Sequence, residues 1–247
     1  MTRITLFSLI VVFAGLDPSV QGANKDIVLV AGAGKSGRAV VRELRDRGYS
    51  IRVLSRQPAL DLGTGVAVFV GDVTRPSTLS TAVRGAKIVV STVGATSPEG
   101  ENGPQAVDFR GVVNLIDAAK SAGAKQFVLM SSTGAGNPDP KVFFNKNFGM
   151  VLKWKGLGEE HLRKSGLAYT IIRPGGLFDC EANQVGLNVT ADREFGSSRI
   201  CRSDVAQVIA ATLSNTKALR KTIAVVSDEK MQIGAWRGAF GQIERDR

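Results

Sequence analysis

The sequence predicts an α/β fold in which a doubly wound parallel sheet is covered by helices on both faces. Short apolar segments rich in β-branched residues recur along the chain, and stretches with helical periodicity separate them. Strands that are apolar on both faces are typical of parallel sheets buried between two layers of helices. The first of these strands also runs directly into a glycine-rich turn at the start of a helix.

Strands and helices alternate without a repeat, a low-complexity segment or a long linker. We therefore expect one domain over residues 25–229, with a small irregular substrate-side region around Phe178–Ile200 and a C-terminal tail over residues 230–247. The predicted strands are Ile27–Ala31, Ile51–Leu54, Val66–Val70, Ile88–Val93, Phe127–Met130, Tyr169–Ile172 and Ile223–Val226. The predicted helices are Ser36–Arg47, Ser77–Val83, Gln105–Ala122, Met150–Ser165 and Ser203–Ser214.

The composition excludes several classes of function. The chain has 247 residues, enough to bury a core without a metal or disulfide staple. His161 is its only histidine and Cys180 and Cys201 are its only cysteines, so we expect no metal site. The net charge is +10, but the basic residues are dispersed and not interleaved with aromatic rings, which argues against nucleic acid. A basic surface of this kind favours a phosphorylated ligand.

The glycine-rich turn carries the strongest functional information. Gly32, Gly34 and Gly37 form GxGxxG directly between strand Ile27–Ala31 and a helix. In this setting the first glycine permits a tight turn, the second lets the backbone approach a pyrophosphate, and the third lets helix and strand pack closely. The sequence therefore predicts a Rossmann-type dinucleotide site.

The pyrophosphate of such a ligand meets the positive N-terminus of the helix, where Lys35 and Ser36 lie. A triphosphate-binding loop ending in Gly34-Lys35-Ser36 is the competing interpretation. That loop needs a glycine at position 29, which is occupied by Leu29 inside the strand. ATP and GTP binding are therefore rejected in favour of a dinucleotide.

The end of the second strand predicts which dinucleotide binds. An NAD site places an acidic residue there to hold the ribose 2′-hydroxyl. Here Ser55 and Arg56 occupy that position, and a hydroxyl beside a cation suits a 2′-phosphate. We expect NADP(H) as the cofactor in preference to NAD(H).

Residues 25–229 resemble the atypical short-chain dehydrogenase/reductases of the NmrA-like NAD(P)-binding group. The matching stretches are residues 30–38 around the glycine turn, Gly71-Asp72-Val73, Ser131-Ser132, Trp154-Lys155, the run from Ser165 to Leu177, and Arg202-Ser203-Asp204-Val205-Ala206. The resemblance implies that Asp72 and Val73 border the adenine and that Thr92, Val93 and Gly94 line the cofactor. It further implies that Ser132 and Lys155 lie near the nicotinamide, with Pro174 closing over it.

The catalytic tyrosine of the wider superfamily is missing. Its members use Tyr-x-x-x-Lys, in which the tyrosine exchanges a proton with the substrate oxygen. If Lys155 is that lysine, Val151 stands in the tyrosine position, and Tyr-x-x-x-Lys occurs nowhere else in the chain. The catalytic assignments that remain are Ser132 and Lys155.

Several functions are compatible with a site that lacks the tyrosine of Tyr-x-x-x-Lys. The first is an NAD(P)H-dependent oxidoreductase that reduces a quinone- or flavin-like acceptor. Such an acceptor takes up hydride with little need for a positioned proton donor. The second is a non-catalytic NADP(H)-binding redox sensor or scaffold, for which a partner protein is expected. Isomerase-type chemistry is a lesser alternative.

The N-terminal residues predict export or anchoring. Met1-Thr2-Arg3 precedes an apolar run, Ile4–Leu16, and small residues follow it, which is typical of a secretory signal peptide. The run is short for a transmembrane helix, so residues 1–24 are interpreted as a signal-like or anchor segment and as the only membrane contact. Export conflicts with the use of a soluble nicotinamide cofactor, so a cytoplasmic or organellar location stays open. In an oxidising compartment Cys180 and Cys201 are able to pair.

Overall fold

The computed structural model describes residues 26–58, 60–191 and 198–246, and the predicted signal-like segment lies outside them. The main sheet has the strand order β3-β2-β1-β4-β5-β6-β10-β8, in which only β8 runs antiparallel to its neighbour. A separate parallel pair is formed by β7 and β9. The strands are β1 Ile27–Ala31, β2 Ser50–Ser55, β3 Val66–Val70, β4 Ile88–Ser91, β5 Gln126–Met130, β6 Ala168–Pro174, β7 Gly176–Phe178, β8 Leu187–Thr190, β9 Arg199–Cys201 and β10 Lys221–Ser227. The predicted doubly wound α/β fold is confirmed.

Helices cover both faces of this sheet. They are α1 Lys35–Asp46, α2 Ser80–Val83, α3 Val112–Ser121, α4 Phe143–Asn147, α5 Val151–Lys164 and α6 Arg202–Thr212. A π-helical turn, Gln105–Gly111, leads directly into α3, and short 3-10 turns cover Pro76–Thr78, Gly100–Asn102, Thr216–Ala218 and Ala235–Gly241. The central strands are buried throughout because α1 and α6 pack on one face while α3 and α5 cover the other. Among the described residues, no helix has the length and apolarity needed to cross a membrane.

The prediction of an irregular region around Phe178–Ile200 was partly wrong. Leu187–Thr190 forms β8 and extends the main sheet beside β10. Leu187 and Val189 are buried while Asn188 and Thr190 are half-buried, so the strand carries the alternation of a sheet edge with one covered face. Because the alternation spans only four residues, it was too short to stand out in the sequence.

The C-terminal tail packs on the domain. Trp236, Phe240 and Ile243 are buried in the same core cluster as α1 and α6. The carboxylate of Asp246 accepts hydrogen bonds from the backbone N–H of Thr222 at 3.1 Å and from the hydroxyl of Tyr169 at 3.1 Å. The tail is therefore fixed to the amino ends of β6 and β10, on the edge of the sheet opposite the glycine turn.

Candidate dinucleotide-binding site

A cleft of 320 Å³ opens at the carboxyl edge of the sheet, where the chain leaves β1, β2, β3 and β4. Strand order reverses at β1, which lies between β2 and β4, and ligands of open α/β sheets bind at such switch points. The lining residues are Gly32, Ala33, Gly34, Leu54, Ser55, Arg56, Gln57, Leu60, Gly71, Asp72, Val73, Thr92, Val93, Gly94, Thr96, Asn102 and Val107.

The three glycines of the turn have distinct geometric reasons to be glycine. Gly32 has φ +102°, a conformation that L side chains rarely adopt. A Cβ on Gly37 would lie 1.8 Å from the carbonyl oxygen of Gly32, so any side chain there would collide with the turn. A Cβ on Gly34 would meet no protein atom within 4 Å and would project into open space beside the cleft. The first and third glycines therefore serve the fold, whereas the second leaves space for a ligand.

Thr92 ties the glycine turn to the end of β4. Its backbone N–H donates to the carbonyl oxygen of Ala31 at 2.8 Å. Its hydroxyl lies within hydrogen-bond distance of the carbonyl oxygens of Ala31 and Gly32, at 3.1 and 3.2 Å. These bonds orient the turn, so that the backbone of Val93 and Gly94 forms the floor of the cleft where β1 and β4 meet.

The wall of the cleft at the ends of β2 and β3 contains Arg56, Ser55 and Asp72. The guanidinium of Arg56 donates to the side-chain oxygen of Asn102, which joins the end of β2 to the loop after β4. Ser55 accepts a hydrogen bond from the backbone N–H of Gln57 at 3.0 Å, so its own O–H remains available as a donor. One carboxylate oxygen of Asp72 accepts from the backbone N–H and from the hydroxyl of Thr74, both at 2.9 Å.

Lys155 stands at the other end of the site. Its ammonium nitrogen lies 2.7 Å from a carboxylate oxygen of Asp108, which the sequence analysis did not identify. The second carboxylate oxygen of Asp108 accepts from the backbone N–H of Ala95 at 3.0 Å. Since Ala95 directly follows Gly94, this chain of contacts links Lys155 to the floor of the cleft.

Ser132 and Pro174 lie at the carboxyl ends of β5 and β6. The hydroxyl of Ser132 donates to the carbonyl oxygen of Thr133 at 3.1 Å, and the backbone N–H of Thr133 donates to Pro174 at 3.0 Å. Neither Ser132 nor Pro174 lines the 320 Å³ cleft, and neither do Ser36, Gly37 and Lys155. The contact of these residues with a cofactor stays a prediction.

Lys35 has a protein partner at the front of the glycine turn. Its ammonium lies 2.8 Å from Asp179, and Arg202 lies 2.6 Å from the other oxygen of the same carboxylate. Together the two cations hold the pKa of Asp179 below its usual range through hydrogen bonds from Lys35 and Arg202. Next to this contact, Cys180 and Cys201 form a disulfide with a Cα–Cα distance of 5.6 Å.

Sequence motifs predicted the glycine turn and the ends of β2 and β4 as parts of the cleft, but not the contribution of the chain that follows Gly94. Thr96, Asn102 and Val107 line the cleft although no motif marks them. They lie far from the glycine turn in sequence, and only the parallel pairing of β1 with β4 brings them to it. A polar residue in the loop after the fourth strand is too common to predict on its own.

This fold and this cleft define a Rossmann protein of the nicotinamide-dinucleotide-binding class. A family model described as NAD(P)H-binding matches residues 31–216, so the chain belongs to that family. The predicted kinship with atypical short-chain dehydrogenase/reductases is confirmed by this match and by the solved structures that share the fold.

Two relatives indicate what the family contains. The chain is 30% identical to the chloroplastic protein TIC 62 of Arabidopsis thaliana over 238 residues, covering 85% of this chain but only 37% of TIC 62. It is 29% identical to sanguinarine reductase of Eschscholzia californica over 269 residues, covering 92% of this chain and 95% of that enzyme.

Two solved structures share the fold. A candidate NAD-dependent epimerase/dehydratase of Bacillus halodurans has a TM-score of 0.73 and 28% identity, over 84% of this chain and 96% of that chain. The anaerobillin reductase ChuY of Escherichia coli O157:H7 has a TM-score of 0.67 and 26% identity, over 82% and 98% of the two chains.

Proposed function

We propose that the protein is an NADPH-dependent reductase of a quinone- or flavin-like acceptor, working without a fixed tyrosine proton donor. The cofactor is bound between the glycine turn and the loops after β2 and β4, with its nicotinamide toward Lys155. Hydride passes from the nicotinamide into a conjugated acceptor, which delocalises the two electrons, and solvent supplies the proton afterwards.

The position of the two tyrosines supports this proposal most directly. Tyr49 precedes β2 and Tyr169 is the second residue of β6, so both stand at the amino edge of the sheet. At a rise of about 3.3 Å per residue, Tyr169 is roughly 16 Å along its strand from Pro174 at the carboxyl edge. Burial and the neighbouring Asp246 also raise the pKa of Tyr169 to about 12. Neither phenol is placed to donate a proton at the cleft, so substrates that depend on one are disfavoured.

The choice of NADPH over NADH rests on the end of β2. Arg56 lines the cleft, and the end of β2 carries Ser55 and Arg56 where an acidic side chain would hold a 2′-hydroxyl. The bond from Arg56 to Asn102 is exposed, so exchanging it for a bond to a dianionic phosphate is favourable. NADPH binding therefore has a charge-assisted contact that NADH binding lacks.

The relatives support reduction as the reaction type. Sanguinarine reductase and anaerobillin reductase are both reductases by name, and the former aligns along nearly its whole length. Neither name specifies a quinone or a flavin. The inference that the acceptor needs no positioned proton donor is our own, and it is drawn from the missing tyrosine.

Turnover assays separate this function from its main alternative, a non-catalytic NADP(H) sensor or scaffold. NADPH oxidation is measured with quinones, flavins and simple carbonyl compounds side by side, and cofactor affinity is measured separately by titration. Reduction of quinones or flavins with negligible carbonyl turnover supports the reductase. Tight NADPH binding without turnover of any acceptor supports the sensor, and robust carbonyl reduction would refute the absence of a positioned proton donor.

We also propose an organellar site of action, where NADPH is available. TIC 62 and two other Arabidopsis thaliana relatives are chloroplastic, whereas export would separate the protein from its cofactor. Fusing residues 1–24 to a fluorescent reporter tests this: organellar import supports it, and secretion of the reporter contradicts it.

A further inference from the structure

We propose that Asp108 is a positioning residue that holds the ammonium of Lys155 at the nicotinamide end of the site. Lys155 then binds the nicotinamide-side ribose only while Asp108 orients it. The inference rests on the proposed function in one respect, because it requires a nicotinamide dinucleotide in the cleft.

Asp108 is a buried carboxylate in the part of the fold that faces the cofactor. The residue is 2% exposed. One oxygen accepts from the backbone N–H of Ala95 at 3.0 Å, directly after the cleft-lining Gly94. An isolated ionised carboxylate is costly to bury, so Asp108 needs a partner charge, and Lys155 is that partner.

Lys155 has donors to spare. Its nitrogen lies 2.7 Å from the carboxylate oxygen of Asp108, but the two groups are not aligned as a hydrogen bond. The contact is therefore an ion pair, and the ammonium of Lys155 still has three N–H donors that it can direct to other acceptors. The Lys155 side chain is 16% exposed, so its donors retain access to a ligand.

The backbone around Asp108 is built for this contact. Asp108 lies in the π-helical turn Gln105–Gly111, and such turns occur often at functional sites. A Cβ on Gly158 of α5 would lie 2.9 Å from the carbonyl oxygen of Asp108. The absence of a side chain at Gly158 thus lets α5, which carries Lys155, approach the π-helical turn closely.

A purely structural ion pair would also be buried, so the test must separate positioning from stability. The ligands are NADPH and adenosine 2′,5′-bisphosphate, which carries the adenine and the 2′-phosphate but no nicotinamide. The variants are Asp108→Asn, Lys155→Ala and the double substitution. Asp117→Asn is the matched control, because it neutralises an exposed carboxylate of α3 that lies 2.8 Å from His161 of α5.

We expect Asp108→Asn and Lys155→Ala each to weaken NADPH binding by about tenfold or more, the usual effect of losing a charge-assisted contact. Binding of adenosine 2′,5′-bisphosphate should change less than about twofold, within the scatter of substitutions remote from a ligand. The double variant should bind NADPH no worse than Lys155→Ala, since both changes remove the same contact. Asp117→Asn should leave both affinities unchanged.

Three results would overturn the inference while leaving the proposed function intact. These are unchanged NADPH affinity in Asp108→Asn, equal loss of both ligands, and additive losses in the double variant. A wild-type protein that fails to bind NADPH contradicts the proposed function itself. If Asp108→Asn does not fold, Asp108→Glu takes its place, because it keeps the charge and displaces it by one methylene. Selective loss of NADPH affinity in Asp108→Glu supports positioning, and wild-type affinity contradicts it.

Discussion

Replacing Gly34 with valine distinguishes the effect of this position on folding from its effect on ligand binding. Gly34 has φ −70°, which any residue adopts, and a Cβ at this position meets no protein atom within 4 Å. The cost to the fold comes mainly from its place at the N-cap of α1, where valine is a poorer cap than glycine by about 1 kcal/mol. In a protein of this size we expect Tm to fall by about 2–4 °C.

The effect of Gly34→Val on cofactor binding should be much larger. The branched side chain fills the space in which the pyrophosphate approaches the backbone, so the phosphates retreat from the N–H groups of α1. Losing contacts worth about 1.5–3 kcal/mol each weakens NADPH binding by about a hundredfold or more. Fluorescence titration with NADPH measures the affinity, and a thermal melt of the same sample measures the fold.

Gly37→Ala is the matched control because its main expected effect is on the stability of the fold, whereas that of Gly34→Val is on cofactor binding. Its Cβ would lie 1.8 Å from a backbone oxygen of Gly32, and overpacking of this kind costs about 1–3 kcal/mol or more. Stability should therefore fall more than in Gly34→Val. A folded Gly34→Val protein with wild-type NADPH affinity would place the cofactor elsewhere, and wild-type stability in Gly37→Ala would contradict the geometry of the turn.

The remaining predictions concern cofactor choice, the lysine and pH. Arg56→Ala should lower NADPH affinity by about ten- to a hundredfold and leave NADH affinity nearly unchanged, and equal affinities in the wild type would refute the role of Arg56. Lys155→Ala should raise the Kd for NADPH more than it alters the pH profile of quinone reduction, and a lost pKa in that profile would make Lys155 a proton donor. Burial and Asp246 raise the pKa of Tyr169 to about 12. The folded state thus favours the protonated phenol, and its contribution to stability is complete below about pH 10 and lost as pH rises toward 12. Urea unfolding should show a shallower decline over this interval in Tyr169→Phe than in the wild type.

Local sequence predicted the sheet well because its central strands are buried on both faces. The central strand Ile27–Ala31 was predicted to the residue, and so was the edge strand Val66–Val70, because a glycine or polar turn bounds each apolar run. Predictions were weaker where the backbone departs from regular geometry. The helix predicted over Gln105–Ala122 consists of a π-helical turn followed by α3, and no residue type distinguishes the two in sequence.

Tertiary contacts account for most of what was missed at the site. Asn102 reaches Arg56 from a loop 46 positions away, through the pairing of β1 with its two neighbours. Helix α4 is a short five-residue element between β5 and α5 with exposed aromatic rings, and it has no amphipathic stripe to predict it.

Asp108 differs from these, because the sequence did contain information about it. Val112, Leu115 and Ala119 are buried along α3, and Asp108 precedes them at the spacing that places residues on one helical face. An acidic residue on the apolar face of a helix violates the pattern that the rest of the helix obeys, and such violations concentrate at functional sites. What the sequence lacked was the partner, since Lys155 lies on another helix and was assigned through a family motif alone. An acidic residue on an apolar stripe and a motif lysine without its tyrosine are each ambiguous, but their 2.7 Å separation is the contact that the proposed positioning role of Asp108 requires.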